Sequence, residues 1–85
     1  MPGFSYQLTS YAKKQLKRLP VNIQRRIIIK IKFFCQINPL IYADKLSNFE
    51  LGEFRFRIGN YRVIFDLDDS MVTILDVGHR REIYR

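Results

Sequence analysis

The chain is poor in sulfur and has no tryptophan: its 85 residues include one cysteine, Cys35, and no Trp. A lone cysteine excludes an internal disulfide, and no His, Cys, Asp or Glu set is spaced like metal ligands. Cys35 lies among apolar neighbours, the setting of a packed thiol rather than a reactive one. No apolar run approaches the roughly 18 residues needed to span a bilayer. The opening residues MPGFSYQL lack the charged start and apolar run of a secretory leader. Repeats, low-complexity tracts and linkers are also missing. These absences lead to the expectation of one domain, cytoplasmic, without a cofactor and without membrane contact.

Acid is scarce in one half only. Residues 1–49 hold nine Lys and Arg against a single carboxylate, Asp44, for a charge of +8. Residues 50–85 hold six Arg and seven acids, for −1. The overall +7 therefore belongs to the first half, a cationic field suited to nucleic acid or to an acidic protein. Composition does not choose among RNA, DNA and an acidic partner. The second half is nearly neutral, so its arginines are placed rather than merely abundant. A hydrophobic content of 47%, with seven Phe and five Tyr, is enough to fill a modest core and argues against disorder.

The most informative stretch is Phe54 to Phe65, FRFRIGNYRVIF. Phe54, Phe56 and Ile58 alternate with Arg55 and Arg57, the period-2 signature of a half-buried strand. Gly59-Asn60 supplies two residues that tolerate positive φ, which predicts a two-residue hairpin turn. Ile58 then pairs with Tyr61, Arg57 with Arg62, Phe56 with Val63, Arg55 with Ile64 and Phe54 with Phe65. One face is apolar, and the other sets Arg57 against Arg62. Like charges directly opposed cost a strand pair on the order of 0.2–1 kcal/mol. Such a face is suited to a polyanion; the alternative is a solvated strand face, with Asp66 placed diagonally to neutralise Arg55.

Around this hairpin the chain reads in order. Phe4–Leu8 alternates as a first strand, and Thr9 and Ser10 can cap a helix over residues 10–19, with Ala12, Leu16 and Leu19 on one stripe. Lys13, Lys14, Lys17 and Arg18 occupy the rest of that helix. Pro20 breaks it, and a second helix follows from Val21 to about Asn38 on Ile23, Ile27, Ile31 and Phe34. Arg25, Arg26 and Lys30 lie off that stripe. The two are expected to form an antiparallel helical hairpin. Asn38-Pro39 ends the second helix, and residues 40–51 read as a connection without strong period. After the hairpin, Asp68-Asp69-Ser70 marks a turn and Met71–Val77 a last strand. A two-residue loop would turn Val72 and Ile74 inward, a three-residue loop Thr73 and Leu75. The order β-α-α-β-β-β predicts an α+β fold, its helical hairpin packed on one face of a mostly antiparallel sheet and its arginine face left open.

The chain closes on Gly78-His79-Arg80-Arg81-Glu82-Ile83-Tyr84. Taken with R-x-R-x-G-x-Y-R at 55–62, this tail resembles the RelE toxins of the RelE/ParE superfamily over the full length. The resemblance implies a single RelE-like toxin domain over residues 1–85, cutting mRNA in the ribosomal A site without a metal. It also implies a cognate RelB-like antitoxin whose acidic segment folds on binding and covers or displaces the tail. In that likeness Arg62 holds the scissile phosphate, Arg80 stabilises the transition state and Tyr84 stacks on or deprotonates the attacking nucleotide. Arg55 and Arg57 fall where relatives carry lysines and arginines. The helix cations and Arg81 become contacts to RNA and ribosome.

The chemistry is coherent. Attack of a ribose 2′-OH on its own 3′-phosphate needs alignment, charge stabilisation and proton transfer, and guanidiniums supply the second. Dependence on the 2′-OH makes such an enzyme specific for RNA. Arginine does not readily give up its proton, so the base is left to Lys45 or His79. His79 can equally be a hydrogen-bonded cap on the last strand. Two other outcomes stay open: a ParE-like toxin that poisons DNA gyrase by protein contact, and an inactive member that binds RNA or antitoxin only.

Overall fold

A computed structural model describes residues 3–48 and 50–83. Strand β1 (Ser5–Leu8) leads into helix α1 (Ser10–Lys17) through Thr9, whose hydroxyl accepts the Ala12 N–H at 3.1 Å. That bond satisfies one of the donors a helix start leaves orphaned. Pro20 lacks an N–H to donate, and its carbonyl begins helix α2 (Val21–Ile37) by accepting from Ile23 and Gln24. The Gln24 side chain returns to the Leu19 carbonyl at 2.8 Å and fixes the corner between the helices. Asn38, extended before Pro39, ends α2 as expected.

The connection does not stay irregular. Asn38 accepts the Leu40 N–H at 3.0 Å and caps a short third helix, α3 (Pro39–Tyr42), which runs directly into strand β2 (Ala43–Lys45). The sequence reading had neither element. One helical turn and a three-residue strand are too short for a periodic signature, and both are stabilised by what they dock against. Strands β3 (Phe54–Ile58), β4 (Tyr61–Asp68) and β5 (Met71–His79) complete a five-stranded sheet in the order β1-β5-β4-β3-β2. All pairs are antiparallel except β1 with β5, which is parallel.

The β3–β4 register matches the expected pairing at every position from Phe54–Phe65 to Ile58–Tyr61. Gly59 takes φ 61°, the left-handed conformation the turn requires. Asp68 pairs with Met71 across a two-residue turn, so Val72 and Ile74 face inward, the first of the two registers considered. Between Ile64 and Phe65 the register slips by one residue at Leu75, and the slip returns Val77 to the inner face.

The helices cover the inner face. Ala12 from α1 and Ile27, Ile31, Phe34 and Cys35 from α2 pack with Phe56, Phe65, Val63, Val72 and Ile74. Ring contacts run Phe34–Phe56 at 4.8 Å and Phe56–Phe65 at 4.3 Å between centroids. Each fully buried Phe stabilises the fold by roughly 1.5–3 kcal/mol. Burial also pushes the Cys35 thiol above its ordinary range, which keeps it protonated and unreactive.

Candidate active site

Strand alternation places Arg55 and Arg57 of β3 and Arg62 of β4 on the outer face, with Arg57 directly opposite Arg62. Asp44 of β2 pairs with Arg55 and sits on the same face. One of its oxygens, Oδ2, accepts from Arg55 Nε at 3.1 Å and from Arg57 Nε at 3.0 Å. A single carboxylate thus offsets one of two guanidinium charges and fixes both side chains by their Nε–H groups. The hairpin pattern had pointed to Asp66 for that task, but Asp66 Oδ1 accepts the Glu53 backbone N–H at 2.9 Å. The strand carrying Asp44 was missed, and its carboxylate was missed with it.

Arg62 is held differently. Its Nη1 donates to the carbonyls of Gly59 at 2.9 Å and Tyr61 at 3.0 Å. Among the described residues it forms no ion pair, since both salt bridges there belong to Asp44. Two carbonyls orient the group without cancelling its charge. That is the state suited to an incoming anion.

The outer face is not wholly open. Gly52 lies over part of it, beside a loop base closed by Leu46 N–H on the Glu53 carbonyl and Leu67 N–H on Glu53 Oε1 at 3.0 Å. Ile64 is only 1% exposed although it shares the arginine face. A Cβ at Gly52 would lie 2.7 Å from Ile64 Cγ2 and 3.0 Å from Leu75 Cδ1, so the covering backbone touches the sheet. The expectation of a bare face holds only for the end carrying Arg57 and Arg62. The cover rests on tertiary contacts that no local pattern encodes.

The tail returns to that open end. Arg80 N–H bonds the Asn60 carbonyl at 2.8 Å, tying the end of β5 to the hairpin turn. Glu82 and Ile83 both donate to the His79 carbonyl, closing one helical turn. Ile83 is buried, and a Cβ at Gly78 would sit 3.5 Å from its Cδ1. Gly78 pairs with Arg62, so Ile83 packs over the position beside that arginine. Tyr84 lies outside the described residues. Arg80 and Arg81 are exposed.

Neither expected base shares this face. His79 pairs with Tyr61 and Lys45 with Phe54, both inner-face positions. The His79 ring meets Tyr61 edge-on at 5.4 Å, and its Nδ1 accepts the Arg81 N–H at 3.1 Å. This is the strand-capping arrangement. The outer face instead carries Asp76, opposite Ile64 and two residues from Gly78, the partner of Arg62. Desolvation raises its pKa above the ordinary aspartate value, against the lowering effect of a 2.8 Å bond from Val77 N–H. Sequence reading passed over Asp76 because only the bulge in β5 decides which face it takes. Lys13, Lys14, Lys17 and Arg18 lie on or at the end of α1 and Arg25, Arg26 and Lys30 on α2; the Arg26 guanidinium lies at Gly59 of the hairpin turn.

With this geometry in view, comparison with known proteins is decisive. The family model of the ParE toxin of the parDE type II toxin–antitoxin system matches residues 6–84. This chain belongs to that toxin family. The toxin is 31% identical over 84 residues to Toxin RelG of Mycobacterium tuberculosis, covering 96% of this chain and 97% of that one. Its structure is similar to one in the RelBE2 toxin–antitoxin complex of M. tuberculosis, with TM-score 0.77, 28% identity and coverage of 92% and 99%. A chain of the RelB–RelE complex of Methanococcus jannaschii aligns with TM-score 0.71, 26% identity and coverage of 91% and 93%. The archaeal RelE–RelB complex of Pyrococcus horikoshii, at 23% identity and TM-score 0.74 over 94% and 98%, shares the fold. The α+β architecture of the toxin, helices on one face of a five-stranded sheet, is that of these neighbours.

Proposed function

We propose that this toxin is a ribosome-dependent endoribonuclease that cuts mRNA in the A site by attack of a ribose 2′-OH on the adjacent phosphate. The observation that carries the reading is Arg62: a guanidinium oriented by two carbonyls, with no ion pair among the described residues, at the open end of an arginine-lined face. Arg62 binds the scissile phosphate, and Arg57 opposite it adds positive charge while Asp44 and Arg55 fix its position. Arg80, tied to the same hairpin turn, stabilises charge on the leaving oxygen. Tyr84 follows Ile83 and supplies the ring on which a base stacks, an interaction worth roughly 1–3 kcal/mol. Asp76 is the carboxylate on this face whose raised pKa makes it a better proton acceptor than an ordinary aspartate. A cytoplasmic site of action and an acidic antitoxin complete the proposal; the structural neighbours are chains of toxin–antitoxin complexes.

The test is primer extension on a translated mRNA with wild type, Arg62→Ala and Arg80→Ala. Cuts at codon-spaced positions that fall at least 100-fold in both variants are expected. A toxic wild type that leaves translated mRNA intact would instead favour the second reading, a ParE-like toxin acting on gyrase. That reading draws on the ParE description of the matching family and on Asp44, which offsets part of the positive charge of the arginine face and leaves it a less basic docking surface.

A further inference from the structure

The Gly59-Asn60 turn meets arginine from two directions. Arg62 comes from the sheet, with Nη1 on the Gly59 carbonyl. Arg26 comes from α2, across the other face, and its Nη2 lies 3.1 Å from the point where a Gly59 Cβ would stand. The glycine's φ of 61° disfavours any side chain, and a Cβ there would press on the Arg26 guanidinium. Neither arginine has an ion pair among the described residues. Two guanidiniums without an ion pair reach one glycine, and a polyanion passing over the turn meets both.

We infer that Arg26 is a substrate-binding residue. With Arg62 it forms a two-guanidinium clamp on neighbouring phosphates of one RNA strand. The inference rests on the proposed nuclease reading and deepens it by extending the phosphate track from the sheet face around the hairpin tip onto α2. The general cationic field does not account for the arrangement. Arg25, next in sequence, lines the groove between α1 and α2 with Leu16, Ile28 and Ile29. Arg18 turns to Gln15 on its own helix at 3.4 Å. Arg26 is the helix cation that the fold brings to the turn.

The experiment follows the arginine Nε–H resonances of the 15N-labelled protein during titration with a short single-stranded RNA carrying a 2′-deoxy, uncleavable nucleotide. Resonances of Arg26 and Arg62 are expected to shift together, with that of Arg25 unmoved. In the same series Arg26→Gln is expected to lower the slope of log affinity against log salt by about 0.7, one single-strand phosphate contact. It should also slow cleavage of translated mRNA by about 10-fold or more, with Lys32→Gln, a helix cation beside Ser5 and Gln36, within two-fold of wild type. Arg26→Lys keeps the charge and loses the fork; it should recover the salt slope but not the full rate. Arg62 shifting without Arg26, equal losses in Lys32→Gln and Arg26→Gln, or no binding at low salt would each overturn the clamp. If the wild type cuts no translated mRNA, the nuclease reading fails separately, while shifts and slope still report the contact.

Discussion

At the scale of single residues, the site is built from charges held in unequal states. Arg55 and Arg57 share one carboxylate, whereas Arg62 is oriented by carbonyls alone. Replacing Arg62 by Lys keeps a positive charge but loses the planar fork, so cleavage should fall nearly as far as in Arg62→Ala, while the melting temperature stays within a few degrees of wild type. Asp76 gives a prediction of opposite sign for folding and for activity. Its folded pKa is raised, so burying the charged form costs stability, and that cost grows as pH rises from the ordinary aspartate value through the raised one. Asp76→Asn should therefore be at least as stable as wild type at pH 7, with the difference vanishing in acid, yet cut mRNA poorly. Thermal melts across pH beside cleavage assays check both halves, and a variant that melted earlier at pH 7 would contradict the assignment of burial as the dominant cause.

At the scale of elements, the hairpin was legible because its information is local. FRFRI and YRVIF alternate, Gly59-Asn60 demands the turn, and each cross-strand pair follows. The helices were equally readable from Thr9, Pro20, Asn38 and the isoleucine spacing. The connection after Asn38 was not, because α3, β2 and Gly52 settle against Phe34, Phe56 and Ile64, contacts that follow no local period. Tyr42 stacks on Phe34 at 4.4 Å, for example, and Ala43 pairs with Phe56. Of the candidate site, the arginines of the hairpin were visible in the sequence, while Asp44, Asp76 and the reach of Arg26 depended on tertiary placement. The cover offers its own test. Gly52 takes φ 149° and would place a Cβ 2.7 Å from Ile64, so Gly52→Ala should cost about 1–3 kcal/mol in a denaturant melt. Ile64→Ala, which removes Cγ2, should therefore cost less stability in the Gly52→Ala background than in the wild type.

At the scale of the whole molecule, charge is segregated by element. The helices carry cations and no acid before Asp44, whereas acids lie on the strands and turns that follow. The acidic antitoxin proposed above would be steered to this surface by exposed charge, which salt screens, and held by buried contacts, which salt hardly touches. Raising salt should slow association more than it speeds dissociation in a binding-kinetics series; an on-rate flat across that series would remove steering from the account. The parallel edge of the sheet bears on how the toxin comes into being. Gln7 meets Thr73 across 66 residues of sequence, and Thr9 N–H meets the Ile74 carbonyl. On a ribosome, the first strand synthesised has no sheet partner until β5 is made, and β5 ends beside Arg80. Loop closure over that span slows folding, but it also merges two events. The segment that completes the core also delivers the arginine of the tail, so on the proposed nuclease reading a chain halted before β5 lacks both its sheet and that arginine.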